Sequence, residues 1–237
     1  MRGVRPSHDY LQGDNEMKPT INLNDYLPQS ISDIIFGNED TKAMVDDIIS
    51  GRKPFPAFGK NAILLYGVWG TGKTTLAKML PEVIENRLSG KYLNDVTFVQ
   101  CKQGTNGPDL MRKIENQAVL ISPNYSDKHY FVFDEIDNLT DNAQASLKAA
   151  MNISTAIFIL TTNHIDKIEK GILNRSIMLD MNAAPPQAWL PFAHRILADH
   201  KVKATDEELI PLIHACKGSA RDIADSILTI AARKSAS

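Results

Sequence analysis

The run Gly67-Val68-Trp69-Gly70-Thr71-Gly72-Lys73-Thr74 constrains this chain more than any other stretch, because it fills the pattern G-x-x-x-x-G-K-[ST] without a gap. Glycines at those positions let the backbone fold so that several N–H groups converge on phosphate oxygens at the start of a helix. The flanks agree with that reading. Ala62-Ile63-Leu64-Leu65-Tyr66 is a short apolar run of strand length, and the stretch from Lys73 to about Arg87 reads as a helix. The predicted ligand is ATP, with Gly67, Gly70, Thr71, Gly72, Lys73, Thr74 and Thr75 around its phosphates. Lys73 would reach the β- and γ-phosphates, and the Thr74 hydroxyl would bind Mg²⁺.

The surrounding pattern supplies the sheet that such a loop needs. Val96-Thr97-Phe98-Val99, His129 to Phe133, Ala156 to Leu160 and Ser176 to Leu179 are further strand-length apolar runs. Helical stretches stand between them, at Pro108 to Ile121 and Asn142 to Met151, and another precedes them at Glu39 to Ser50. Strands this apolar, alternating with helices, predict an α/β fold with a parallel five-stranded sheet covered by helices on both faces. Beyond Pro185-Pro186 the strand signal stops, and three helices are expected at Gln187 to His200, Asp206 to Cys216 and Ala220 to Lys234. Thr205 and Glu208 stand at capping-box spacing for the second of these, and Ser219 is placed to cap the third. The expected domains are therefore a nucleotide-binding α/β domain over 21–184 and a small helical lid over 185–237. Residues 1–20, rich in Gly, Pro, Asp and Asn without hydrophobic period, read as a disordered leader.

Composition narrows the setting. At 43% hydrophobic and 23% charged residues the chain can bury a globular core. No apolar run approaches the roughly 18–20 residues of a membrane span, so no membrane association is expected. The N-terminus lacks the apolar segment of a secretory signal. The two cysteines, Cys101 and Cys216, are too few and too far apart for a disulfide framework or zinc site, which makes a reducing, cytoplasmic setting the expectation. A formal charge of −2 argues against wholesale electrostatic binding of nucleic acid and leaves room for a local basic patch.

Phe131-Val132-Phe133-Asp134-Glu135 ends a buried strand on two carboxylates. At the C-terminal end of such a strand, beside the phosphate loop, Asp134 would hold hydrated Mg²⁺ and Glu135 would polarise the attacking water. Leu160-Thr161-Thr162-Asn163 is a second apolar strand ending in polar residues, whose Asn163 amide is suited to orienting a nucleophile.

On these motifs the chain resembles the AAA+ ATPases, and within them the clamp-loader small-subunit group, replication factor C-like. Tyr26-Leu27-Pro28 through Ile34-Ile35-Phe36-Gly37-Asn38-Glu39 is similar to that group's N-terminal segment, which packs near the adenine. Asp134-Glu135-Ile136-Asp137 matches its acidic box, and Leu139-Thr140, Ala143 to Leu147 and Met151 match the helix that follows. The resemblance implies that Asn163 is sensor 1, holding water near the γ-phosphate. It implies that Arg175, in Gly171-Ile172-Leu173-Asn174-Arg175-Ser176, is a finger reaching a neighbouring subunit's ATP, with Asn174 and Ser176 where the group has Ser and Cys. It further implies that Arg221, in Gly218-Ser219-Ala220-Arg221, is sensor 2, binding nucleotide from the lid.

The expected function is an ATPase with its sites at the subunit interfaces of a ring or spiral, loading or remodelling a protein partner such as a sliding clamp, with DNA as a further partner. Members of the group carry a helical collar after the lid, and this sequence ends at Ser237, near the end of the lid, so a collar-free assembly is expected of it as it stands. Two alternatives remain open at this point: a stand-alone phage or mobile-element AAA+ regulator or helicase-loader-like ATPase, and a nucleotide-dependent scaffold with little turnover.

Overall fold

Five apolar runs form one parallel sheet in the computed structural model, which describes residues 23–103 and 107–235. The strands are β1 (Ala62–Tyr66), β2 (Val96–Gln100), β3 (His129–Asp134), β4 (Ala156–Thr162) and β5 (Ser176–Asp180), laid side by side in the order β2-β3-β4-β1-β5. Each neighbouring pair is parallel and in simple register, with Phe133 beside Leu160 and Tyr66 beside Thr162. All strands therefore end on the same edge. Because β3, β4 and β1 are adjacent, whatever follows each of them meets at that edge. The leader expected over residues 1–20 lies outside the described residues.

The helices are α1 (Glu39–Ser50), α2 (Lys73–Ser89), α3 (Gly107–Ala118), α4 (Asp141–Ala150), α5 (Lys170–Asn174), α6 (Leu190–Asp199), α7 (Asp206–Ala215) and α8 (Ala220–Ser235). Successive strand side chains point to opposite faces, so a run that is apolar throughout needs cover on both. Ala62 and Leu64 of β1, Phe131 and Phe133 of β3, and Ala156, Phe158 and Leu160 of β4 pack with α3 and α4 residues such as Ile114 and Leu147. Their alternates Ile63, Leu65, Tyr130, Val132, Ile157 and Ile159 pack with Val45 and Ile48 of α1 and Leu76, Leu80 and Ile84 of α2. Each fully buried Leu, Ile or Phe contributes on the order of 1.5–3 kcal/mol, whereas an exposed ion pair such as Arg52–Asp47 contributes less than about 1. The two apolar layers hold the sheet; the surface pairs do not.

A third apolar cluster joins α6, α7 and α8 through Ala193, Ile196, Leu209, Ile213, Ile223 and Ile227, with Trp189 buried beside them. Thr205 caps α7 as a capping box with Glu208. Tyr26 and Ile35, from the segment before α1, also pack on this cluster, and Tyr26 Oη lies 3.3 Å from His200 Nε2. That segment is not a plain loop: it holds short 3-10 turns at Leu23–Tyr26 and Ile31–Asp33.

Two helices end or begin elsewhere than their spacing predicts. The helix expected to run to Ile121 stops at Ala118, where Leu120 N–H turns back to Gln117 O at 3.1 Å and Leu120 O lies 3.0 Å from His129 Nε2. Val119, Leu120 and Ile121 are thereby left 80%, 65% and 92% exposed. The helix expected from Gln187 opens instead as a 3-10 turn over Pro186–Trp189 before α6.

Among the described residues one charged side chain has no solvent exposure at all. Glu85, late in α2, is fully buried and is satisfied from three sides. It accepts from Ser89 Oγ (2.5 Å), Tyr130 Oη (2.9 Å), Ser126 N–H (3.1 Å) and the Ser126 hydroxyl. Burial alone would raise its pKa, but the bonds from Ser126, Ser89 and Tyr130 outweigh burial and hold the carboxyl below its usual range. It pins α2 to β3 and to the turn before it.

Candidate nucleotide-binding site

The C-terminal ends of β1, β3 and β4 open into a cleft of about 350 Å³, closed on the other side by the segment before α1 and by α6 and α8. Gly70, Thr71, Gly72, Lys73, Thr74, Thr75, Asp134, Glu135, Asn163 and Arg221 all line it. The fold thus brings together residues spread over about 150 positions of sequence: three adjacent strands deliver three loops to one edge, and the start of α8 adds Arg221. Two predicted residues stand apart: Gly67 and Arg175.

The phosphate loop begins at Gly67, whose φ of 146° and whose position against the backbone of Met181 exclude a side chain; a Cβ there would lie 2.7 Å from Met181 C. Gly67 therefore shapes the loop from beneath. Gly72 starts α2 in a left-handed conformation with no side chain capping the helix. The first-turn N–H groups of α2, which have no upstream carbonyl within the helix, are left for an anion. Lys73 Nζ donates to Gly67 O (2.9 Å) and Val68 O (2.5 Å), lying along the loop. Its burial pushes its pKa down to about 8, against the opposing pull of Asp134, Asp137 and Glu135. A buried ammonium held only by carbonyls gains from a phosphate partner.

Asp134 Oδ1 accepts from two hydroxyls, Thr74 Oγ1 at 2.7 Å and Thr161 Oγ1 at 2.6 Å. Hard oxygens of a carboxylate and a threonine, beside a phosphate cradle, fit Mg²⁺, which takes one or two protein ligands and completes its shell with phosphate and water. No group of three or more His, Cys, Asp or Glu that could cage a metal occurs among the described residues. Glu135 follows with φ 59° and ψ 53°, a left-handed backbone that costs a non-glycine residue about 1–3 kcal/mol. Its N–H is fastened to Thr161 Oγ1 at 2.9 Å. Thr161 therefore ties the Asp134 carboxylate through its proton and the Glu135 backbone through its lone pair.

Asn163 stands one residue past β4, where Asp137 Oδ1 accepts from Thr162 Oγ1 (2.8 Å) and from Asn163 N–H (3.3 Å). Asn163 lines the cleft. Beside it the His164 ring meets Trp69 edge-on at 5.7 Å. Trp69 is 66% exposed at the mouth of the cleft.

Arg221 is exposed in the first turn of α8 and points to the same cleft. The helix that carries it touches the phosphate loop directly: Ala220 N–H donates to Gly70 O at 2.9 Å. Gly70 has φ 77°, and a Cβ on it would meet Ser219 Oγ at 2.6 Å, so only glycine allows the start of α8 so close.

Arg175 is at the other end of the sheet. Its carbonyl accepts from Ala62 N–H at 3.2 Å, at the start of β1, whereas the phosphate loop follows the end of β1. Its guanidinium rests on Asn152 Oδ1 and Gly171 O.

Phe192, Arg195 and Trp189 also line the cleft and were not singled out as site residues in the sequence; nor was Thr161. Thr161 carries no local signal, since its role depends on β4 lying beside β3. Arg195 carries none, since its place depends on how α6 packs. Lys148 of α4 is paired with Glu169 at 3.0 Å.

The fold and this loop define an AAA+ P-loop NTPase, and the sequence agrees: residues 63–180 match the family described as "ATPase family associated with various cellular activities (AAA)", to which the chain belongs. Within that family it is replication factor C-like. It is 27% identical over 210 residues to replication factor C small subunit 2 of Pyrobaculum islandicum, covering 87% of this chain and 62% of that protein. It is also 27% identical over 199 residues to the replication factor C small subunit of Thermoplasma acidophilum, covering 83% and 59%. The chain thus spans about three fifths of the length of these relatives. Among solved structures, a RuvB variant of Thermotoga maritima shares the fold, with a TM-score of 0.61 at 19% identity over 88% of this chain and 64% of that one.

Proposed function

We propose that the chain binds Mg·ATP in this cleft and hydrolyses it, at sites completed by a second copy of itself. The observation that carries the reading is the junction of Thr74 Oγ1, Asp134 Oδ1 and Thr161 Oγ1, with Glu135 held in a strained backbone beside it. Thr74 and Asp134 are the residues that would hold Mg²⁺, which when bound neutralises phosphate charge. Loop N–H groups from Gly70 to Thr75 and the Lys73 ammonium bind and orient the phosphates. Glu135 accepts a proton from the attacking water, and Asn163 orients that water. Arg221 supplies positive charge from the lid, whose neighbouring Ala220 N–H is bonded to the phosphate loop at Gly70 O.

Arg175 points the reading toward an oligomer. A guanidinium suits the developing charge of phosphoryl transfer, but this one is on the far edge of its own sheet. If it serves an ATP, that ATP belongs to another subunit of a ring or spiral. The similarity to replication factor C small subunits supports loading or remodelling of a protein partner, such as a clamp, during DNA replication. The exposed Val119-Leu120-Ile121 offers an apolar surface suited to a protein partner. Cys101 and Cys216 are free, in keeping with a reducing cytoplasmic setting, and no described helix is long and apolar enough to cross a membrane.

Phosphate release from Mg·ATP tests the enzyme reading. Glu135→Gln is expected to lower turnover by about 10²-fold or more while nucleotide binding, followed by the fluorescence of Trp69 in the cleft, persists. Turnover equal to the unaltered protein in that variant would sink the role given to Glu135.

A further inference from the structure

Arg175 is tied down from both sides by two residues next to each other in sequence. Lys60 Nζ donates to Asn174 O at 3.0 Å and to Ser176 O at 2.7 Å, the carbonyls on either side of Arg175. Between them, Arg175 O accepts from Ala62 N–H. Three successive carbonyls are therefore fixed. Asn61 treats the neighbouring segment in the same way: its Nδ2 donates to Met151 O (2.9 Å) and Ala156 O (3.1 Å), and more loosely to Ile153 O (3.5 Å). Met151 and Ile153 flank Asn152, whose Oδ1 accepts from Arg175 Nε at 3.2 Å and Nη2 at 3.1 Å.

Lys60 itself is immobilised. It closes a tight turn with Ala57, through Lys60 N–H to Ala57 O at 2.9 Å and Ala57 N–H to Lys60 O at 3.1 Å. Phe58 and Gly59 inside that turn take left-handed φ values of 53° and 73°. So a long, flexible side chain is held at its base by a turn and at its tip by two carbonyls. An ammonium in that place satisfies backbone acceptors which the strand cannot, because Ser176 begins β5 at the sheet edge. For an arginine with no ion pair among the described residues, this is a large amount of organisation.

We propose that Lys60 is a positioning residue for Arg175. With Asn61 fixing the Asn152 segment, it holds the arginine in a preset pose at the edge of the sheet, ready for a second subunit's nucleotide. The inference rests on the reading of Arg175 as a finger acting in trans. Preorganisation is what gives such a group its value, since a displacement of about 1 Å at a reacting centre costs on the order of 10²-fold in rate.

Mixing experiments separate the inference from the reading beneath it. Arg175→Ala has a sound cleft and no finger, while Lys73→Ala has a sound finger and no cleft. If the trans reading holds, each is inactive alone and an equal mixture recovers turnover. Lys60→Met is expected to behave as the finger-defective partner. Alone, it loses about 10- to 100-fold in turnover at saturating ATP, with KM changed less than about twofold. Mixed with Lys73→Ala, it recovers to the level of the Arg175→Ala mixture. Lys60→Arg, which keeps a cationic donor, retains most of the turnover. Asn152→Ala, at an exposed position that threatens folding less, is expected to show the same rescue with a loss of about three- to tenfold. A damaged cleft or a misfolded subunit cannot be rescued by Lys73→Ala, so this pattern distinguishes positioning from general structural support. Full turnover in both Lys60→Met and Asn152→Ala, or losses in both that Lys73→Ala does not restore, overturns the proposal while Arg175→Ala still complements. If Arg175→Ala itself keeps full turnover, the trans reading falls and the role of Lys60 falls with it.

Discussion

Glu85 is the residue whose chemistry most clearly outlasts its surroundings. It lies in the apolar layer between α2 and the sheet, yet it stays ionised because hydroxyls of Ser89, Ser126 and Tyr130 and one N–H converge on it. Its folded pKa is depressed, so its contribution to stability is full above the ordinary glutamate value of about 4.3 and is lost as pH falls through the folded value. Glu85→Gln is therefore expected to destabilise the protein by about 1–3 kcal/mol at pH 7. In denaturant unfolding the gap between the two proteins should narrow as pH drops below about 4. A gap that widens in acid would show that the carboxyl is not held charged. At this scale the sequence was legible where chemistry demanded fixed spacing. Lys73, Thr74, Asp134, Glu135 and Asn163 could be named because a phosphate loop and the polar ends of two apolar strands are local patterns. Thr161, which bonds to Asp134 and fastens Glu135, was hidden because its role depends on two strands being neighbours. The left-handed backbone of Glu135 had no local signal at all, since nothing in Asp-Glu-Ile demands it.

Among elements, the start of α8 matters most for the site, because Ala220 N–H is bonded to the phosphate loop at Gly70 O. Proline at the first position of a helix is tolerated, since that N–H has no partner within the helix. Ala220→Pro thus removes the tie to the loop with little cost to α8. Nucleotide affinity is expected to weaken by about three- to tenfold with far-ultraviolet circular dichroism unchanged, the worth of one hydrogen bond plus a looser lid. Unaltered affinity in a folded variant would mean that the lid does not act on nucleotide through this contact. The strands and most helices were legible as elements because β1, β3 and β4 are apolar on both faces. The end of α3 was not, because Val119, Leu120 and Ile121 continue an apolar pattern that the structure leaves facing solvent. Apolar periodicity reports burial, and it misleads wherever an apolar surface is left uncovered.

For the whole molecule, the prediction concerns assembly. If Arg175 serves a neighbour's cleft as proposed, a cleft at one end of the strands and an arginine at the other would make the association head-to-tail, and such contacts close into rings or run on as spirals. Particle mass is expected to rise with a non-hydrolysable ATP analogue and Mg²⁺, and Arg175→Ala is expected to blunt that rise; a monomer at every concentration with the analogue present would contradict it. The sheet order was not written locally, since the placing of β1 between β4 and β5 comes from crossovers that no single segment encodes.

The place of β1 carries a mechanical consequence. Its last residue leads into the phosphate loop and its first is hydrogen-bonded to Arg175 O, so one five-residue strand, packed between β4 and β5, separates the phosphate loop from Arg175. At about 3.3 Å per residue that strand is a rod of roughly 15 Å with almost no give. In an assembly built on Arg175, β1 would act as a gauge block, setting the step from one nucleotide to the next. A tilt of one subunit over its own ATP would then be passed along as a displacement of the arginine in its neighbour's cleft. Timing between sites would follow from leverage between rigid bodies, with no rearrangement inside any of them.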